Sequence, residues 1–314
     1  MKVIKHSEEV LKVALISKDT QLVRLYDKFE PKEKLLLNEA FQPDSLLFKP
    51  ITLHSDSDWI SSHPEPTQDF AQFYRHPCRN IPSPQKSHIY IQPIGSFGDS
   101  TVTTDVYMRW VKDYCEAFYN GLTVRILGPE PVLHTNCAFR VNEYTHNLQI
   151  HAGMGIFSFA RYDSDFYSAN YKGKLKTTKK LSPTDYSVFD GYYTPEVTSI
   201  LLLRSCKTLT HEIGHIFGLH HCQWLQCVMQ GSNHLEESDR RPLDLCPICL
   251  RKLQSALGFN ITERYKALKR WMEEEANGTE AELSNEAQLG LRKPVEAFKE
   301  SYDWIVKCLE ILQK

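Results

Sequence analysis

The chain has 314 residues, 41% of them hydrophobic and 24% charged, which is enough length and apolar content for one large or two small globular domains. A net charge of −2 leaves no general basic surface for nucleic acid or an anionic membrane. The longest strongly apolar run, Ile200 to Leu203, is far too short to span a bilayer.

Residues 7 to 41 show helical periodicity in Val10, Leu11, Ala14 and Leu15, then Leu22, Leu25 and Phe29, then Leu35 to Phe41. From Pro43 to Gln85 the prolines thicken among Ser, Asp and His, which predicts irregular chain wrapping a surface or a linker. Ile89 to Ile91 predicts a strand. Thr104 to Tyr119 reads as a helix with Val106, Trp110, Val111, Tyr114 and Phe118 inward and Gly121 as its stop, and Leu122 to Leu127 as the strand that completes a βαβ start. Further strands are expected at Cys137 to Val141 and Ile156 to Ala160. The five lysines between Tyr171 and Lys180 read as a solvated loop. Thr194-Pro195-Glu196 has the chemistry of a helix entry, with a cap candidate, a proline and an acid in the first turn. The helix it opens should pack Ile200 to Leu203 on all sides and end near Phe217. Ile261 to Glu275, started by Asn260, and Pro294 to Leu312 read as amphipathic helices joined by an acidic linker over Glu273 to Glu286.

The decisive segment is His211-Glu212-Ile213-Gly214-His215-Ile216-Phe217-Gly218-Leu219-His220-His221, an HExxHxxGxxH pattern with every fixed position filled. Residues four apart on a helix share a face, so the imidazoles of His211 and His215 can grip one ion. A catalytic Zn²⁺ takes three protein ligands and keeps one open position. Gly218 lets the chain turn under the helix, and the spacing selects His221 rather than His220 as third ligand. Glu212 needs no ligand role; beside the ion it can take a proton from the attacking water and hand one to the leaving amine. Chance would supply the full pattern in only about one chain in ten thousand of this length, so a buried helix with satisfied core histidines is the weaker reading.

Cys222, Cys227, Cys246 and Cys249 follow as C-x4-C and C-x2-C, close to the ligand spacing of a closed tetrahedral zinc site. Alternatively, Cys246-Pro247-Ile248-Cys249 is a redox pair; that motif belongs after a strand at the opening of a helix in a βαβ unit. Cys78, Cys115, Cys137, Cys206 and Cys308 read as reduced thiols, and the charged Met1 to Glu9 leaves no signal h-region, so the protein is expected inside the cell, in cytoplasm or nucleus, and not secreted. Met229 is a core gap-filler by default, but it stands a few residues after the third histidine, where metzincin peptidases place a methionine turn.

Taken together, His211 to His221, Cys222, Cys227, Met229, Cys246 and Cys249 resemble the signature of the archaemetzincin family. The resemblance implies an α+β, metzincin-like (zincin-like) catalytic domain with a mixed sheet and an active-site helix, and peptidase or aminopeptidase-like activity. It implies two Zn²⁺ ions, one catalytic on His211, His215 and His221 and one structural on the four cysteines, with Glu212 as acid/base and Met229 beneath the site. In one place the pattern breaks: Gly153 runs directly into Met154, where the family leads one to expect the rest of a helix and one or two further strands, including a cleft-edge strand. The expected organisation is a helical and irregular region over 1–87, a catalytic domain with its cysteine module over 88–256, and C-terminal helices over 257–314. Two functions are therefore expected to compete: a monomeric zinc peptidase acting on peptides, and a zinc-stabilised variant, impaired by the missing edge strand, that serves as a binding protein.

Overall fold

The structure, a computed structural model, describes residues 2–42, 44–77, 79–94, 102–129, 162, 196–273 and 292–313. The helical N-terminus is divided by its caps into α1 (Glu8–Ile16), α2 (Thr20–Asp27) and α3 (Pro31–Asn38). Ser7 accepts from Val10 N at the head of α1, and Asp19 accepts from Gln21 N at the head of α2. At α3, Glu33 reaches back to Glu30 N and Pro31 occupies the first turn. The helices bury Leu11 and Leu15, Leu22, then Leu36 and Leu37, while Leu35, expected inside the same periodic run, is 50% exposed.

The stretch expected to be irregular is more ordered than its prolines suggest. Lys2–Ile4 (β1) pairs antiparallel with Ile51–Leu53 (β2), and two short helices follow, α4 (Trp59–Ser62) and α5 (Phe70–Tyr74). Three-residue strands are too short to show a period of two. The start of α5 is a reciprocal capping box between Asp69 and Gln72, a signal that the surrounding prolines obscure.

The βαβ unit forms as expected. Here β3 (His88–Ile91) runs parallel to β4 (Thr123–Ile126), and α6 (Thr104–Phe118) crosses between them. Trp110, Val111, Tyr114 and Phe118 are buried and Val106 partly so, and Gly121 takes positive φ after the helix. The motif helix α7 (Ser199–Ile216) starts later than Thr194-Pro195-Glu196 would place it, because Glu196 to Thr198 are non-helical and the Thr198 hydroxyl caps the helix through Leu201 N. Nor is its first turn enclosed on all sides: Leu201 and Leu202 are buried, but Ile200 is 48% exposed.

Beyond α7 lie α8 (Leu235–Arg240), α9 (Pro247–Leu257), α10 (Ile261–Met272), a 3-10 turn at Glu296–Phe298 and α11 (Lys299–Gln313). Asn260 caps α10 through Glu263 N. One hydrophobic core extends from Leu11 to Leu312; α6 packs on α7 and α10, and α11 on α10 and α3. The molecule is thus an α+β fold of helices with small sheets. The strands expected at Cys137 to Val141 and Ile156 to Ala160, the passage at Gly153, the lysine-rich loop and almost all of the acidic linker lie outside the described residues. Among the described residues, no helix is long and apolar enough to cross a membrane.

Candidate metal centre

Four residues apart on α7, His211 and His215 leave the same face, and the turn that follows brings His221 to them. Gly218 makes that turn with φ 91°, while its N–H and that of Leu219 close the helix on the carbonyls of His215 and Gly214 at 2.9 and 3.1 Å. Ring centroids of the three histidines lie 4.6, 4.8 and 5.3 Å apart, and all three side chains are buried. His220, the spacing-rejected neighbour, is absent from this group; its ring meets His76 edge to face instead.

The outer ring nitrogens decide what the inner ones can do. His211 Nδ1–H donates to Val228 O at 2.8 Å, His215 Nδ1–H to Leu219 O at 2.7 Å, and His221 Nδ1–H to both oxygens of Glu65 at 3.0 and 3.1 Å. With Nδ1 carrying the proton in each ring, the Nε2 atoms present bare lone pairs inward; those of His211 and His215 are only 3.0 Å apart. Neutral lone pairs at that separation repel, whereas a divalent cation between them would bind all three. Burial and the neighbouring His215 and Arg241 hold His211 well below the ordinary imidazole range, which keeps its lone pair available. The donor set therefore fits zinc.

Glu212, next in chain, has its carboxyl pushed up to about 7 by burial, against the pull of the Arg241 guanidinium. Arg241 is itself buried, bonded to Gln230 O and to Ser238 Oγ at 2.8 Å. A buried carboxyl near neutrality, on the residue next to the first of the three histidines, is a candidate for proton transfer.

The four cysteines converge as a second buried group, their ligand atoms within 4.8 Å of one another. Backbone bonds weave them together: Cys222 N–H donates to Met229 O at 2.7 Å and Cys246 N–H to Cys227 Sγ at 3.3 Å. Burial pushes the Cys227 and Cys246 thiols up; at Cys222 it is outweighed by sulfur hydrogen bonds from the other three, which hold that thiol well below its usual range. Cys246 does open a helix, α9, as a redox motif would, but it follows a loop rather than a strand, and Cys222 Sγ lies 3.7 Å from Cys246 Sγ. Four gathered thiols suit a tetrahedral ion better than a two-cysteine exchange. A further group, Asp58, His234 and Glu237, is a staple between residues 54–59 and α8: Asp58 accepts from His54 N and Arg240, and Glu237 from Trp59 N and Asn233 N.

Residues 139–255, which carry both groups, match Peptidase family M54. Human archaemetzincin-2 is 56% identical with full coverage of both chains, and mouse archaemetzincin-2 is 52% identical with the same coverage. The chain belongs to the archaemetzincin family. It is accordingly a zinc metallopeptidase. Mouse archaemetzincin-1 is more distant, 32% identical over 83% of this chain and 61% of its own length. The alignment with the human archaemetzincin-2 runs over 360 positions, so that relative has residues with no counterpart among the 314 here. No solved structure matches the chain.

In this archaemetzincin Met229 is wholly buried, and its side chain lies against α7 so closely that a Cβ at Gly214 would stand 2.5 Å from its Sδ. The glycine between the two helical ligands is thus the space that the methionine fills. Gly214→Ala sets two effects in opposition: helix propensity favours Ala by up to about 1 kcal/mol, while overpacking costs about 1–3 kcal/mol. Since Met229 has no solvent to move into, overpacking should win and urea should unfold the variant at lower concentration. An unchanged or raised midpoint would show that the contact is slack.

Several residues at the site had no signal in the sequence reading. Tyr119 donates to Thr210 O on α7 and packs on Phe217; Trp59 meets the His221 ring edge to face at 4.8 Å; Gln68 and Glu65 reach the turn from the N-terminal region. Glu65 stands between Pro64 and Pro66, and nothing local connects it to a histidine 156 residues away.

Proposed function

We propose that His211, His215 and His221 hold a catalytic zinc ion, that Cys222, Cys227, Cys246 and Cys249 hold a second, structural one, and that Glu212 is the acid/base of peptide-bond hydrolysis. The observation that carries this is the inward set of three Nε2 lone pairs, fixed by three acceptors on Nδ1, with a raised carboxyl adjoining. Zinc in such a site supplies Lewis-acid polarisation of the scissile carbonyl and makes water more acidic. Glu212 accepts the water proton and delivers it to the departing amine, so one carboxyl serves both halves of the reaction. Arg241 offsets its charge from the side. Cys222 and Met229, joined through the backbone, hold the strand of chain that delivers His221.

The metzincin-like architecture, the aminopeptidase-like preference, action as a monomer without nucleic acid, and placement in cytoplasm or nucleus belong to the same reading. Residues 1–87 serve as cover for a catalytic region over 88–256, and 257–314 as its buttress.

A second reading, a peptidase impaired by loss of one or two strands after Gly153, is favoured by the longer alignment of the relatives. Zinc content and hydrolysis of a broad peptide library, measured on this chain and on one lengthened after Gly153 by a relative's segment, test both. Two ions per chain with cleavage supports the peptidase. Two ions with turnover and stability that rise only in the lengthened chain supports the impaired form, and equal turnover and stability in both removes the missing-strand inference. Fewer than two ions removes the two-site assignment.

A further inference from the structure

The three candidate ligands differ in what holds them from behind. His211 and His215 each give their Nδ1 proton to a neutral backbone carbonyl, but His221 gives its proton to a carboxylate, and that carboxylate comes from a segment 156 residues earlier. The segment is a strap over the turn. At one end Trp59 N–H donates to Glu237 Oε1 at 2.8 Å; at the other, the buried Gln68 side chain donates to Gly218 O at 3.0 Å and accepts from His220 N at 3.2 Å. Gln68 O is bonded to Trp224 Nε1 at 2.9 Å and to Lys252, and Glu65 O to Gln223 Nε2 at 2.7 Å. Between these anchors Pro64-Glu65-Pro66 leaves little backbone freedom, since each proline fixes its own φ and restricts the residue before it.

We infer that Glu65 is a positioning residue for the third metal ligand, holding the His221 ring and its tautomer so that the N-terminal region forms part of the catalytic metal centre. Glu65 acts through His221 and from the far edge of the ring, away from the Nε2 atoms. A carboxylate that meets Nδ1–H with both oxygens fixes the ring orientation and leaves Nε2 as the nitrogen facing the other two imidazoles. Gln68 fixes the same turn from the backbone side, binding the carbonyl of Gly218 and the N–H of His220 on either side of Leu219. This inference rests on the assignment of His211, His215 and His221 as ligands.

The test uses the full chain with cobalt(II) and zinc as probes. Cobalt at three imidazoles and cobalt at four thiolates give separable spectra, the latter with an intense sulfur-to-metal charge-transfer band, so each site reports independently. Glu65→Ala should weaken metal binding at the histidine site by about 10–100-fold and change its ligand-field band. Glu65→Gln keeps an acceptor without the charge and should fall between Ala and the parent. The thiolate band should stay within error, since Glu65 is one-third exposed and contacts none of the four cysteines. Parental affinity and an unchanged band in Glu65→Ala overturn the positioning role while leaving the ligand assignment intact. A parent chain whose cobalt spectrum is unaffected by His215→Ala would overturn the ligand assignment, and this inference with it.

Discussion

Glu212→Gln is expected to lower peptide hydrolysis by about 10²–10⁴-fold, the range over which a positioned acid/base contributes, while both metal ions stay bound. The amide is nearly the same size as the carboxyl, so α7 should not rearrange, and the side chain is not needed to complete either ligand group. What disappears is the capacity to take a proton from water and return it to the amine. Burial raises the Glu212 carboxyl to about 7, so a neutral amide removes a charge that the surroundings already disfavour, and the variant should fold at least as well as the parent. Steady-state hydrolysis on the best peptide from a library, with zinc content by elemental analysis on the same sample, checks both halves. Turnover within tenfold of the parent would remove Glu212 from the mechanism; loss of an ion would give it a ligand role instead.

Cys249→Ser should have the larger effect on the fold. The four sulfurs sit at a junction where the segment after His221, the methionine loop and the head of α9 meet, and each is at most 2% exposed. A serine oxygen is a poor fourth ligand in a thiolate site, and the three remaining sulfurs would be buried without the ion that unites them. We expect one of two zinc ions to be lost and the thermal midpoint to fall by about 10 °C or more, on a scale of about 2–4 °C per kcal/mol for large domains. Because Cys222 adjoins His221 and Val228 O orients His211, the surviving site should also weaken, by about 10–100-fold. Full retention of both ions would refute the four-cysteine site. Loss of one with the histidine site at parental affinity would refute only the mechanical link between them.

Local geometry explains why both candidate ligand groups, which the fold brings together, were legible in the chain. In HExxHxxGxxH the helix repeat places His211 and His215 on one face, a single glycine at positive φ ends the helix, and three residues suffice to bring His221 back; none of these steps needs a distant partner. The cysteines were legible for the same reason, being two short pairs separated by one loop; α6 showed its periodicity over fifteen residues, and β3 and β4 showed in the β-branched runs that flank it. Where local signals were brief the expectation missed: the three-residue strands β1 and β2 carry no readable alternation, and the helix entry expected at Thr194-Pro195-Glu196 lies before the cap that forms, Thr198. Only the tertiary structure could decide what stands behind the ligands. Glu65, Gln68 and Tyr119 reach the motif across 91 to 156 residues of chain, and Met229 fits because Gly214 has no side chain where α7 passes it. Such contacts follow from how separate elements pack, which depends on the shapes of many buried side chains at once and on no repeat that a linear sequence displays.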